Sequence, residues 1–436
     1  MSNPISGFSK LSKSEKIDWI VSTYFADNDT VKNIITQYWN SDQQLQGLHD
    51  EFVENTITNY YLPFGVAPNF LINEKLFTIP MVIEESSVVA AVSRAAKFWY
   101  HRGGFKAEVL STTKVGQVHF LFYGDFKKLK MFFDNIKTVL IEDCKPLTEN
   151  MERRGGGILD IELVDKSDQL DHYYQLHATF ETKDAMGANF INSCLEQFAK
   201  TLQQQVQGFN AFSTKEKDIS IIMSILSNYV PECLVQVEIS CPLEDLNEYN
   251  ISSEEFANKF IQAVTIAEIE TYRAVTHNKG IMNGIDAIVL ATGNDFRAVE
   301  AGVHAYASRT GSYSSLTHAE VENGIFKFWM EIPLALGTVG GLTSLHPLAK
   351  LSLELLQSPS SEELMCIVAA VGLAQNYAAI SSLITTGIQE GHMKMHLMNI
   401  LNQYEATPTE KEKMIEYFKS NTVSHTAVSE ALQKIR

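Results

Sequence analysis

Gly116-Gln117-Val118-His119-Phe120-Leu121-Phe122-Tyr123-Gly124-Asp125-Phe126-Lys127-Lys128-Leu129 opens the stretch that decides the fold. Val118, Phe120 and Phe122 recur at every second position, the period of a half-buried strand. From Phe126 to Leu140 the period lengthens to that of an amphipathic, Lys-rich helix. Ile158 to Val164 and Tyr173 to Glu181 alternate again, and Phe190, Ile191, Cys194, Leu195, Phe198 and Leu202 then fall at helical spacings of three and four. Ile219 to Leu226 reads as a closing strand. Strand, helix, strand, strand, helix, strand is the order of the ferredoxin-like split unit, which predicts a compact α+β domain over residues 105–227, entered through Gly103-Gly104.

Helix-rich sequence lies on either side. Ser12 and Glu15 have capping-box spacing ahead of Ile17, Ile20, Val21 and Tyr24, and a second stripe is Val31, Ile34, Ile35 and Tyr38. Val88 to Tyr100 is an Ala- and Val-rich helix ending at Arg102-Gly103-Gly104. The small domain therefore reads as an insertion into a large helix-rich domain made of residues 1–104 and 228–388. Thr407, Pro408 and Glu410 supply a cap, a first-turn proline and an N3 carboxylate before Met414, Ile415 and Phe418, which marks residues 389–436 as a small helical C-terminal flap. Met365 to Gln389 carries no charge and has the length of a bilayer span, but Gln375, Asn376, Ser381, Ser382, Thr385 and Thr386 interrupt it, and a buried helix pair is the expectation.

Composition bounds the function. With 45% hydrophobic and 20% charged residues among 436, the chain can bury large cores and is neither fibrous nor disordered. A formal charge of -17 repels nucleic-acid phosphates, so no nucleic acid partner is expected, and no membrane partner either. Cys144, Cys194, Cys233, Cys241 and Cys366 are odd in number and widely spaced, as in reduced cytosolic proteins, and Met1 to Lys16 lacks an apolar signal core. A cytoplasmic location follows as the expectation.

Stock cofactor signatures are missing, because Gly155-Gly156-Gly157 and Gly337-Thr338-Val339-Gly340-Gly341 have the wrong spacing for a dinucleotide fingerprint. His392 and His396 share a helix face, yet Met393 stands where a zinc-protease motif needs Glu, and no metal is expected. Other polar residues sit where the apolar pattern does not need them. Arg273 to Asp286 packs a cation, amides and two glycines into one segment, which reads either as a solvated loop or as a loop gathering donors around an anion. Asp295 follows the strand-like run Ile288-Val289-Leu290 and is a helix cap or a buried functional acid. Asp184-Ala185-Met186-Gly187-Ala188-Asn189 lies at a strand-to-helix junction, where free backbone amides favour a phosphate; a plain cap is the alternative. Glu84 and Glu85 are paired carboxylates in an apolar setting.

Together these segments resemble the bacterial, class II type of 3-hydroxy-3-methylglutaryl-coenzyme A (HMG-CoA) reductase over nearly the whole chain. The resemblance runs through Ile5-Ser6-Gly7-Phe8, Glu54-Asn55-Thr56-Ile57, Leu62-Pro63-Phe64-Gly65-Val66-Ala67, Val82-Ile83-Glu84-Glu85, Asp184 to Asn189, Thr276 to Asp286, Gly293-Asn294-Asp295, Gly340-Gly341, His346-Pro347, Gly372 to Asn376 and Gly391-His392-Met393. It departs at Thr58, where the family has Gly in a CoA-contacting turn.

That resemblance implies two successive hydride transfers from NADH or NADPH, from HMG-CoA through a hemithioacetal and an aldehyde to mevalonate and CoA. It implies Lys279 as the oxyanion-stabilising ammonium, Glu85 as the proton-transferring acid, Asp295 as the carboxylate linking and tuning those two, and His392 as the acid that protonates the CoA thiolate. Substrate contacts fall to Arg273, Ser87, Asn283 and Gln375, and cofactor contacts to Asp184, Met186, Gly187 and Asn189 of the inserted domain. Asp160 lies where a carboxylate meets the adenosine ribose, which favours a 2'-hydroxyl over a 2'-phosphate and hence NAD slightly over NADP. A homodimer or higher symmetric oligomer with the site at the subunit interface is also implied. Competing readings are a catalytically silent CoA-thioester binder and a reductase of another branched acyl-CoA.

Overall fold

Capping, periodicity and glycine placement translate into elements that a computed structural model describes for residues 4–247, 251–385, 397–418 and 421–436. Met1–Pro63 is one compact unit and Phe64–Arg436 a second. In the first, the Ser12 amide donates to Glu15 at 2.7 Å while the Ser12 hydroxyl accepts from the Glu15 amide, and this reciprocal cap starts α1 (Lys13–Phe25). Ile17 and Val21 are its buried apolar positions, beside the buried Lys16, whereas Tyr24 at the end of the same stripe is exposed. Then come α2 (Asp29–Gln37) and α3 (Gln43–Asp50).

The second unit opens with an antiparallel hairpin, β1 (Phe64–Ile72) and β2 (Lys75–Val82), followed by α4 (Val88–Tyr100). The short β3 (Lys106–Val109) pairs with a strand far along the chain, so the inserted lobe begins after it. That lobe holds β4 (Lys114–Leu121), α5 (Phe126–Asp143), α6 (Lys145–Glu152), β5 (Gly157–Asp165), β6 (Tyr173–Glu181), α7 (Ala188–Gly208) and β7 (Ser220–Leu226). Its strands lie in the order β5-β6-β4-β7, all antiparallel, the ferredoxin-like arrangement that the alternating periods predict. Phe120, Phe122, Phe132, Phe180, Leu195 and Phe198 interdigitate between sheet and helices and form a core of their own. Each such side chain contributes roughly 1.5–3 kcal/mol on burial.

The chain then returns as β8 (Leu234–Pro242), α8 (Ser253–Ile269), α9 (Thr271–Ala291), α10 (Phe296–Ala307), β9 (Thr317–Glu322), β10 (Ile325–Pro333), α11 (Leu342–Leu345), α12 (Pro347–Leu355) and α13 (Ser361–Ile384). The large sheet is ordered β3-β8-β10-β9. Over its described residues the apolar stretch read as a helix pair is a single helix, α13: no proline interrupts it, and Gly372 inside it is a close-packing position, where a Cβ would stand 2.8 Å from Ile285, rather than a break. Its length and composition would suit a bilayer, but 94% of its most apolar window is buried inside the protein. Tyr377 of α13 packs with Phe98, Trp99, Phe256 and Phe260 in the large core.

Near the C-terminus Leu397, Ile400, Leu401, Met414, Phe418, Val428 and Leu432 form a third apolar cluster. Thr407 and Glu410 make the expected capping box on the helix Pro408–Tyr417, which precedes the helix His425–Ile435.

Candidate active site

The segment Arg273 to Asp286 is not a loop but the body of α9, started by the Glu270 carboxylate, which accepts from the amides of Tyr272 and Arg273 at 3.2 and 2.7 Å. The polar residues misled because the buried face alone carries the helical signal: Ala274, Ile281, Met282, Ile285, Ile288 and Val289 recur at three and four. The strand-like run before Asp295 is the last turn of the same helix. Gly284 serves close packing rather than a turn. A Cβ there would stand 2.9 Å from Gln375 Cβ and 3.0 Å from the Val371 carbonyl oxygen on α13.

Beneath this helix lies a buried polar network. His277 Nε2 is 2.6 Å from the Thr317 hydroxyl, which also reaches Asn376 Oδ1 at 3.1 Å, and Asn376 Nδ2 donates back to the His277 carbonyl at 3.0 Å. Asn278 donates to the Ser314 carbonyl and accepts from the Leu316 amide. These bonds tie α9, α13 and the start of β9 together directly under Lys279. Burial, then the charges of Arg273 and His318, push His277 down to about 3, so it is neutral in the fold.

Lys279 projects from α9 toward the turn between β2 and α4, where its Nζ meets Glu85 Oε2 at 2.6 Å. The pair is accessible, with 58% and 41% of the two side chains exposed, as groups that meet a ligand must be. Ser87, two residues on, N-caps α4 with φ 76°, a left-handed conformation that a residue with a Cβ adopts only under constraint. Asn283 lies one turn beyond Lys279 and is half-buried. Across on α13, Gln375 is buried and its Oε1 has no hydrogen-bond partner, an acceptor left over by the fold. Arg273 is half-buried at the start of α9, and burial lowers its pKa.

Asp295 differs from the expectation that it links Lys279 and Glu85. It N-caps α10, accepting from the amides of Arg297 and Ala298 at 3.1 and 3.2 Å, and its two oxygens hold the Arg297 guanidinium at 3.2 and 3.3 Å. Burial raises its pKa, but the Arg297 side chain and the cap amides outweigh that and hold it below the ordinary value. His392 and His396 lie outside the described residues.

At the other lobe, Gly187 caps α7 at φ 88° without a side chain, and a Cβ there would meet Thr182 Cγ2 at 2.4 Å. The first turn of α7, which carries Asn189, thus begins without a side-chain cap, a bare helix N-terminus of the kind that suits a phosphate. Asp184 is otherwise engaged: its carboxylate accepts from the Ser361 amide at 2.8 Å, capping α13, while its carbonyl accepts from the Thr338 amide at 2.8 Å. The cap anticipated for this segment thus belongs to a helix of the other lobe, and it fastens the lobes together at Met186 and Gly187.

Comparison with known proteins decides the class. The hydroxymethylglutaryl-coenzyme A reductase family profile matches residues 14–397. The 3-hydroxy-3-methylglutaryl-coenzyme A reductase of Archaeoglobus fulgidus is 35% identical, covering 100% of this chain and 95% of the relative. This chain belongs to the HMG-CoA reductase family. A probable reductase of Borreliella burgdorferi is 34% identical over 89% of this chain and 88% of its own length. Among solved structures, a class II HMG-CoA reductase from Streptococcus pneumoniae bound to NADPH in open conformations superposes with TM-score 0.72 at 33% identity, covering 87% of this chain and all of that one. A second structure from the same organism gives 0.73 at 32% identity over 99% of this chain. The chain is accordingly an NAD(P)-dependent oxidoreductase of the class II fold.

Other residues of the reductase escaped sequence reading. Lys137 on α5 holds Asp160 at 2.6 Å and, chiefly through that hydrogen bond, keeps the carboxyl below its ordinary pKa. Burial first, then the neighbouring Glu300 of α10, raises the pKa of Asp286 on α9. Neither pair leaves a local signal, since each joins residues on different elements. Among the described residues no group of His, Cys, Asp and Glu is arranged to hold a metal.

Proposed function

We propose that the reductase converts HMG-CoA to mevalonate and free CoA in two reductions carried by Lys279, Glu85, Asp295 and His392. The observation behind this reading is the ion pair of Lys279 and Glu85 at 2.6 Å, an ammonium and a carboxyl held by separate elements yet open to solvent. As the thioester carbonyl is reduced, charge builds on its oxygen, and a fixed Lys279 ammonium stabilises that oxyanion by about 3 kcal/mol or more. Glu85 delivers the proton as the aldehyde is reduced. Asp295 tunes both from the start of α10, and His392 protonates the departing CoA thiolate, a task for a group titrating near neutrality. Arg273 pairs with the free carboxylate of the substrate, while Ser87, Asn283 and the unpartnered Gln375 oxygen orient its hydroxyl and carbonyl.

A bound reduced nicotinamide supplies the hydrides. The bare N-terminus of α7 fits its phosphates through Gly187, Met186 and Asn189, and Asp184 acts by fixing that loop to α13. Asp160 favours a ribose 2'-hydroxyl, so NADH is the slightly preferred donor. Two chains contribute to each site, and the working unit is a cytoplasmic homodimer or a higher symmetric oligomer.

Initial rates with HMG-CoA and each reduced cofactor test this. Two equivalents are oxidised per mevalonate formed; one equivalent with accumulating aldehyde refutes the two-step reading, and activity confined to another acyl-CoA refutes the substrate.

A further inference from the structure

Asp286 is seven positions beyond Lys279 on α9, two helical turns and about 10.5 Å along the same face. Its Oδ1 is fully buried and has no hydrogen-bond partner. Glu300 stands on α10, which packs against α9; beyond burial, its hydrogen bonding and charge, and then the charge of Glu84 after β2, raise the Asp286 pKa, while Lys279 opposes them. Two carboxylates in a half-dry site cannot both ionise without strong repulsion, and a neighbouring glutamate adds to it.

We propose that Asp286 and Glu300 share one proton and that this neutral, positioning acid leaves Lys279 committed to Glu85. Were Asp286 ionised, a second carboxylate would flank the ammonium on the same helix face. Lys279 would then be partly neutralised as an oxyanion stabiliser. The shared proton removes that competitor without removing the side chain that fills the contact between α9 and α10. Burial first, then Glu300, raises the Asp286 pKa to about 8, consistent with a pair that keeps its proton at neutral pH.

The inference rests on Lys279 and Glu85 as the reducing site, and the test separates the two. The pH profile of kcat/KM for HMG-CoA is recorded for the full-length enzyme and three variants. Asp286→Asn, a neutral mimic, should retain activity at neutral pH and move the alkaline limb up by one unit or more. Glu300→Gln, which donates a hydrogen bond to an ionised Asp286, should move that limb down by about one unit and lower kcat/KM about tenfold at neutral pH. The double variant should recover the Asp286→Asn profile. A carbonyl-stretch infrared band of a neutral carboxylic acid should persist at pH 7 and vanish in Asp286→Asn. Limbs unmoved in both single variants, or no such band, overturn the proposal even if Lys279→Met abolishes activity. Should Asp286→Asn fail to fold, Glu300→Gln and the wild-type band still decide it. Normal turnover of Lys279→Met would instead remove the reading on which the proposal stands.

Discussion

Lys279 and Glu85 meet at 2.6 Å although they come from α9 and from the turn before α4, and single atoms at that junction are where the chemistry is most exposed to test. Lys279→Met keeps most of the side chain's volume and removes its charge, so kcat should fall by about two decades or more with the melting temperature nearly unchanged. Asp295→Asn separates chemistry from architecture. Asn caps a helix about as well as Asp, so stability should change by less than about 1 kcal/mol, while turnover should fall sharply if the carboxylate tunes Lys279 and Glu85. Unchanged turnover would reduce Asp295 to a cap for α10 and an anchor for Arg297. Individual residues such as Lys279 and Glu85 were legible because motif resemblance carries them by position. Asp286 with Glu300, and Asp160 with Lys137, were not, since each pair exists only once two helices, or a helix and a strand, have packed.

At the scale of elements, periodicity decided the outcome. Alternation and three-four spacing located β4, α5, β5, β6, α7 and β7 within a few residues, because one face of each is buried in a single aromatic core. The same reasoning failed on α9, whose two glycines, Asn278, Lys279 and Asn283 look like loop residues until α13 is set against them. Gly284→Ala should show this: its Cβ would press on Gln375 Cβ at 2.9 Å, so the α9–α13 contact must open and Gln375 shift, costing about 1–3 kcal/mol in a thermal melt. The His277 network gives a pH signature. The fold holds His277 neutral down to about 3, whereas in an unfolded chain it takes up a proton near the ordinary histidine value. The unfolded state therefore binds the extra proton between those values, and stability should fall as pH drops through that window. His277→Gln should flatten that slope in denaturant titrations followed by fluorescence, and an unaltered slope would place its origin elsewhere.

For the whole molecule, the inserted lobe is joined to the large one by backbone as well as side chains, with Asp184 and Ser361 at the clamp. Asp184→Ala should raise the KM for either cofactor about tenfold with a smaller effect on kcat, since it loosens the loop that presents Gly187 and Asn189. Asp160→Ala should improve NADPH use relative to NADH roughly tenfold, because it removes a carboxylate and frees Lys137 for a phosphate. An unchanged ratio would leave Asp160 a structural partner of Lys137. The most direct measurement of the central claim compares HMG-CoA with free mevaldehyde in Lys279→Met and His392→Gln. Both carbonyl reductions develop charge on oxygen, so Lys279→Met should lose about two decades on each substrate. Only HMG-CoA releases a thiolate, so His392→Gln should lose comparably on HMG-CoA and keep mevaldehyde reduction largely intact. Near-normal turnover of Lys279→Met on either substrate would contradict the account.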